Sequence, residues 1–115
     1  MNKKIIGSFG EEIAAEYLKG VGYKILKRNY SVKGAEIDII ARDGKTVVFV
    51  EVKARENLNF GYPAEAVTKS KRHKIAMAAE CYIVQNRIAD GEFRFDVVEV
   101  LGGEVNHIKD AFYAN

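Results

Sequence analysis

Apolar and polar positions alternate along the chain in two distinct periods. From Ile5 to Gly20 the residues Ile6, Ile13, Ala14, Tyr17, Leu18 and Val21 recur at helical spacing, and Gly20 and Gly22 close the run, so a helix is expected there. Tyr23 to Val32 reads as a first strand and Ala35 to Arg42 as a second. Asp43-Gly44 signals a tight turn, and Thr46 to Ala54 reads as a third strand, making a hairpin with the second. From Ala64 to about Asn86 the pattern is helical, basic early and apolar late. Asp90-Gly91 marks a turn, Phe93 to Leu101 a fourth strand, Gly102-Gly103 another turn and Val105 to Ile108 a short fifth strand. The order α-β-β-β-α-β(-β) predicts one α/β domain over residues 1–115. Strands three and four, joined through a helix, would be parallel neighbours in a mixed central sheet covered by helices.

Against that pattern, a few charges stand in the wrong places. Strand three is apolar on both faces: Val48, Val50 and Val52 point one way, and Val47, Phe49, Glu51 and Lys53 the other. A strand buried on both faces should carry no charge unless the charge is paired or binds a metal. Glu51 and Lys53 lie two residues apart on one face, with Cα atoms roughly 6.5–7 Å apart. In strand two, Ile37, Ile39 and Ala41 alternate with Glu36, Asp38 and Ile40, leaving Asp38 between apolar neighbours. Asp38 and Glu51 sit at matching distances from the Asp43-Gly44 turn, so the hairpin sets them opposite each other.

Two carboxylates held close raise one pKa or recruit a cation. Hard oxygen ligands select Mg²⁺ or Mn²⁺. Such an ion polarises a phosphate oxygen and acidifies a bound water, while the Lys53 ammonium can steady charge developing on phosphorus. The pattern D-x12-E-x-K therefore makes a coherent phosphodiester-hydrolysis site. A structural Glu51–Lys53 ion pair at a strand end, with Asp38 an exposed edge acid, accounts for the same pattern. Glu11 lies on the core-facing stripe of the first helix with Ala14 and Leu18, as a further metal or water ligand or as an acid complementing the helix dipole. Glu12 shares a face with Glu16 and Lys19 and should be solvated.

Charge and composition narrow the field only slightly. The chain has 115 residues, 48% hydrophobic and 30% charged, a globular mixture. Its net charge of +2 gives no overall argument for a nucleic-acid partner, so position must carry that case. Lys69, Lys71, Arg72, His73 and Lys74 cluster early in the second helix, where cations oppose the helix dipole. They suit phosphate contacts, although a solvated charged face would look the same. His107 lies in a weakly patterned tail and receives no role. The one cysteine, Cys81, falls in an apolar run and is expected to be a buried thiol, in keeping with a reducing cytoplasm. No apolar stretch is long enough for a signal peptide or a membrane span.

Taken together, several segments carry a family resemblance. They are Gly7-Ser8-Phe9-Gly10-Glu11 with Ala14 and Tyr17-Leu18, Arg28-Asn29-Tyr30, Glu36-Ile37-Asp38-Ile39-Ile40-Ala41, Val48-Phe49-Val50-Glu51-Val52-Lys53-Ala54-Arg55, Glu65-Ala66-Val67 and Phe95-Asp96-Val97-Val98. In combination, over nearly the whole chain, they resemble the YraN-like family. That family looks like a branch of the restriction-endonuclease-like, PD-(D/E)XK superfamily, near the archaeal Holliday-junction resolvases. The resemblance implies that Asp38 and Glu51 are metal ligands, with the Val52 carbonyl as a third, Lys53 as the motif lysine and Glu11 as the acid of the first helix. It implies Mg²⁺ or Mn²⁺ as cofactor, DNA as partner (branched DNA among the candidates), a prospective homodimer and no membrane. The expected function is a metal-dependent nuclease, with Arg55, Lys69, Lys71, Arg72 and Lys74 gripping the phosphate backbone. The alternatives are a catalytically weak or inactive nucleic-acid-binding module on the same fold, and a structural or protein-interaction domain.

Overall fold

A computed structural model describes residues 3–55, 68–88 and 91–112, with side chains described from residue 9 onward. Its elements run α1 (Lys3–Gly20), β1 (Lys24–Val32), β2 (Ala35–Asp43), β3 (Thr46–Arg55), α2 (Lys69–Gln85), β4 (Glu92–Leu101) and β5 (Glu104–Ile108). The protein is a mixed α/β structure with a central five-stranded sheet in the order β1-β2-β3-β4-β5. β3 and β4 are parallel, and the other neighbours are antiparallel. Two-residue turns close the outer hairpins. Lys33 and Gly34 join β1 to β2 with φ of 50° and 79°, and Gly102 and Gly103 join β4 to β5 with φ of 55° and 89°. Positive φ at both central residues gives a turn whose twist matches that of the strands.

The two faces of the sheet are separate hydrophobic layers, because every other side chain of β3 crosses to the opposite side. Val48 and Val50 pack with Ala14, Ala15 and Leu18 of α1 and with Val98 and Val100 of β4. Val47 and Phe49 pack with Ile75, Ala78 and Ala79 of α2 and with Phe95 and Val97. Small residues on α1 let the helix come close: a Cβ on Gly10 would collide with Cβ of Ala54. The α1 stripe is narrower than the spacing predicts. Ile13 and Val21 are 37% and 51% exposed, because Ala14, Ala15 and Leu18 already fill the contact and Ile13 falls on its flank.

Thr68 caps α2, its side chain accepting a hydrogen bond from the Lys71 amide at 3.2 Å. The expected start of this helix at Ala64, the break from Asn57 to Pro63 and the Glu65-Ala66-Val67 segment lie outside the described residues. Cys81, expected to be buried, is half-buried. No described helix is long and apolar enough to cross a membrane.

Candidate metal centre

The β1–β2 register shifts between Ile25 and Lys27, and Asp38 is the residue of β2 that pairs with neither neighbouring strand. The β2–β3 ladder runs from Asp43↔Thr46 to Ile39↔Val50 and stops there. Instead of a backbone pair, the Asp38 carboxylate accepts a hydrogen bond from the Val52 amide at 2.8 Å. The strand also changes faces at this residue. Ile39 and Ala41 pack under α1, whereas Ala35 and Ile37 pack under α2. Regular alternation predicts Ile37, Ile39 and Ala41 on one face, and the irregularity at Asp38 overturns that.

The face change brings a residue into the site that alternation would have kept away from α1. Carboxylate oxygens of Glu11, Glu36 and Asp38 lie within 4.8 Å of one another. With α1 beginning at Lys3, Glu11 lies about two turns into the helix, beyond the reach of a dipole effect that fades after the first turn. Burial pushes the Asp38 carboxyl up, the neighbouring Glu51 and Glu11 charges push the same way, and the Val52 N–H only partly opposes them, so its pKa rises to about 8. Three hard, crowded oxygen donors, one of them holding a proton at neutral pH, fit an oxygen-loving divalent cation.

Glu51 stands beside this trio but is held differently. It is 6% exposed, and its Oε1 receives Lys71 Nζ at 2.5 Å and Lys53 Nζ at 3.5 Å. Burial lowers the Lys53 pKa and the adjacent Lys71 ammonium lowers it further, against the pull of Glu51. For Lys71 burial also acts downward, but the Glu51 carboxylate outweighs it and the pKa rises. Across the β3–β4 ladder Lys53 pairs with Glu99, a buried carboxylate whose Oε2 has no hydrogen-bond partner. Asp38, Glu51 and Glu36 share an open cleft of about 490 Å³ with Thr68, Ser70, Lys71, Lys74 and Ile75.

The other candidate residues scatter around this cleft. Lys74 lines it, and Lys69 is exposed at the start of α2. Arg72 is half-buried, with its guanidinium 5.5 Å from the centre of the Phe112 ring. Arg55, at the end of β3, is half-buried, and its carbonyl accepts from the Gly102 amide. His73 is exposed, and Glu12 lies on the surface, paired with Arg28 at 2.9 Å.

Three features were missed on the sequence. Glu36 has its signal in the Glu36-x-Asp38 spacing but needs the irregular strand to reach Glu11. Lys71 reads as one of a cationic row, yet its ammonium faces Glu51. His107, given no role, is buried: its Nε2 lies 2.7 Å from Asp96, and its Nδ1 3.3 Å from the Tyr17 hydroxyl.

Comparison with known proteins adds the family. Residues 10–100 match the model of the uncharacterised protein family UPF0102. A UPF0102 protein of Clostridioides difficile is 49% identical, over 97% of this chain and all of its own length. One from Caldicellulosiruptor saccharolyticus is 47% identical, with the same coverage. A third, from Geotalea daltonii, is 48% identical over 96% of this chain and 91% of its own. On a matched span that contains Glu11, Glu36, Asp38, Glu51 and Lys53, the chain belongs to the UPF0102 family.

Proposed function

We propose that this protein is a divalent-cation-dependent nuclease acting on DNA phosphodiester bonds, with branched or recombination intermediates as the first substrates to try. The observation that carries the reading is the meeting of three carboxylates, from Glu11, Glu36 and Asp38, at a cleft lined by lysines. The resemblance to restriction-endonuclease-like proteins and Holliday-junction resolvases points the same way. Glu11, Glu36 and Asp38 would hold Mg²⁺ or Mn²⁺, with Glu51 and the Val52 carbonyl beside them. When bound, the ion supplies a Lewis acid for a phosphate oxygen and an acidified water.

The chain's own groups do the rest. Lys53, its pKa lowered by burial and by Lys71, donates a hydrogen bond to the phosphate oxygen that gathers charge during attack. Glu51 orients Lys53 and Lys71, since a carboxylate held between two ammonium groups fixes both. Lys69 and Lys74, with Arg55 and Arg72 further out, hold the phosphates on either side. A homodimer would present two such clefts to two strands.

A Mg²⁺ and Mn²⁺ cleavage panel on branched, duplex and single-stranded substrates tests this reading. Wild type should cut only with metal. Asp38→Ala and Glu51→Ala should abolish cutting while leaving most of the binding. A mutant that cuts as well as wild type would refute the proposal. The engagement of Glu51 by both ammonium groups favours a second reading, a nucleic-acid-binding module without efficient catalysis. That module would show salt-dependent binding, lost when the α2 lysines are neutralised and indifferent to Asp38→Ala.

A further inference from the structure

The described residues with positive φ that are not glycine are Asn29, Lys33, Arg87 and Asp110. Lys33 lies in a two-residue turn, Arg87 follows the end of α2 and Asp110 follows β5. Asn29 is different, because it has φ 53° in the middle of strand β1. A left-handed residue cannot continue a regular ladder, and one pair is missing there, with the same register on both sides; the register shift of these strands lies earlier, between Ile25 and Lys27. Arg28 pairs with Ile39 and Tyr30 with Ile37, but the pair between them, Asn29 with Asp38, is not made. On its other side Asp38 is also outside the β2–β3 ladder. Every other residue of β2 pairs with β1 or β3, so Asp38 alone is released from both neighbours.

We propose that Asn29 is the positioning residue of the acid cluster: its left-handed backbone interrupts β1 opposite Asp38, which frees Asp38 to turn toward the Val52 amide and lets β2 change faces so that Glu36 meets Glu11. The side chain of Asn29 is exposed, so the backbone conformation carries the role. Asparagine and glycine enter the left-handed region at low cost, while a β-branched residue strongly resists it. A backbone outlier beside a cluster of functional groups is where strain is commonly put to use. The structural part of this proposal is independent of the nuclease reading. Its consequence for cation binding rests on that reading.

The test compares Asn29→Val and the milder Asn29→Ala with Asn29→Gly in the full chain. Two readouts are taken, the Val52 amide resonance by NMR and Mn²⁺ binding by water-proton relaxation, with circular dichroism confirming the fold. The valine and alanine variants should move the Val52 resonance and weaken Mn²⁺ binding by about 10–100-fold, the range for residues that orient metal ligands. The glycine variant should keep both near wild type. A Val52 resonance unchanged in the valine and alanine variants overturns the proposal, and so does a glycine variant as impaired as they are. If wild type binds no Mn²⁺, the cation reading fails, and the Val52 resonance alone decides the role of Asn29.

Discussion

Lys71, from the first turn of α2, sets its ammonium 2.5 Å from Oε1 of Glu51 in β3 and ties the helix to the strand at the cleft. Lys53 shares the same oxygen at 3.5 Å. Removing the carboxylate leaves two ammonium groups facing each other in a half-buried place. Glu51→Ala should therefore cost about 1–3 kcal/mol, below the range for a fully buried pair because solvent still reaches both lysines. Adding Lys53→Met should recover most of the loss, since the remaining ammonium then has no like-charged neighbour. Urea denaturation of the three proteins checks both statements. A double mutant no more stable than the single would show that Lys53 does not carry the penalty.

The raised pKa of Asp38 makes a statement about pH. An ordinary aspartate releases its proton near 3.8, whereas Asp38 in the folded chain keeps it to about 8. Between these values the folded chain holds a proton that the unfolded chain has lost. Raising the pH therefore favours unfolding, and the contribution of Asp38 to stability declines from about pH 4 to about pH 8 and is level above that. Thermal unfolding in chelator should show wild type losing more stability than Asp38→Asn across this window. On the proposed function, Mn²⁺ affinity should rise over the same range, because binding must expel the proton. Parallel pH profiles for wild type and Asp38→Asn would sink the first expectation.

What was legible in the sequence is what repeats regularly. The alternation in β3 placed Val48 and Val50 on one face and Val47, Phe49 and Glu51 on the other; the structure packs the four apolar residues so and sets Glu51 beside Lys71 and Ile75 of α2. Hairpin arithmetic brought Asp38 beside Glu51, and both line one cleft. The rest depended on departures from the period. Alternation extended through Asp38 puts Ile37 on the face of Ile39, and no rule of spacing reveals that the strand crosses over there. The position of Lys71 depends on where α2 lies over the sheet, which helical periodicity does not contain. His107 was illegible for a related reason: its partner Asp96 lies in β4, and the two meet only because β5 folds back along that strand.

Asp96 is the hub of a second polar group beneath α1, where its side chain is fully buried. Arg94 donates to it from Nε at 2.8 Å and from Nη2 at 3.1 Å, and the Asp110 amide donates at 3.0 Å. Burial acts to raise the Asp96 pKa, but hydrogen bonds from His107, Arg94 and Asp110 outweigh it and hold the carboxyl below the usual range. A depressed value stabilises the fold above the ordinary aspartate pKa, and that stability is lost as the pH falls through the depressed one. Asp96→Ala should cost about 1–3 kcal/mol at neutral pH, because His107 Nε2 and the Asp110 amide lose their buried acceptor while Arg94 keeps Asp43 and Tyr23. The variant should also show less acid destabilisation below pH 4 than wild type, in acid titrations followed by circular dichroism. A variant as stable as wild type at pH 7 would show that the network is not cohesive.

The approach of α1 to β3 places Glu11 at the cluster, and Gly10 sets how close that approach is. A methyl at Gly10 would meet Cβ of Ala54 well inside van der Waals contact, and Cγ1 of Val52 is 4.0 Å away. Neither neighbour is the far end of a flexible chain, so the helix itself must move. Gly10→Ala should therefore destabilise by about 1–3 kcal/mol, the usual cost of overpacking, despite alanine's better helix propensity. Because Glu11 is the next residue, the shift should also draw its carboxylate from Glu36 and Asp38. Mn²⁺ binding should then weaken more than it does in a surface control such as Glu16→Ala. Ala54→Gly removes the colliding methyl, so Gly10→Ala combined with Ala54→Gly should restore the approach and the binding, apart from the cost of a glycine in β3. Calorimetric unfolding and Mn²⁺ relaxation on the two singles and the double close the cycle. Strictly additive effects would mean that the two positions do not touch, and that the place of Glu11 is set elsewhere along α1.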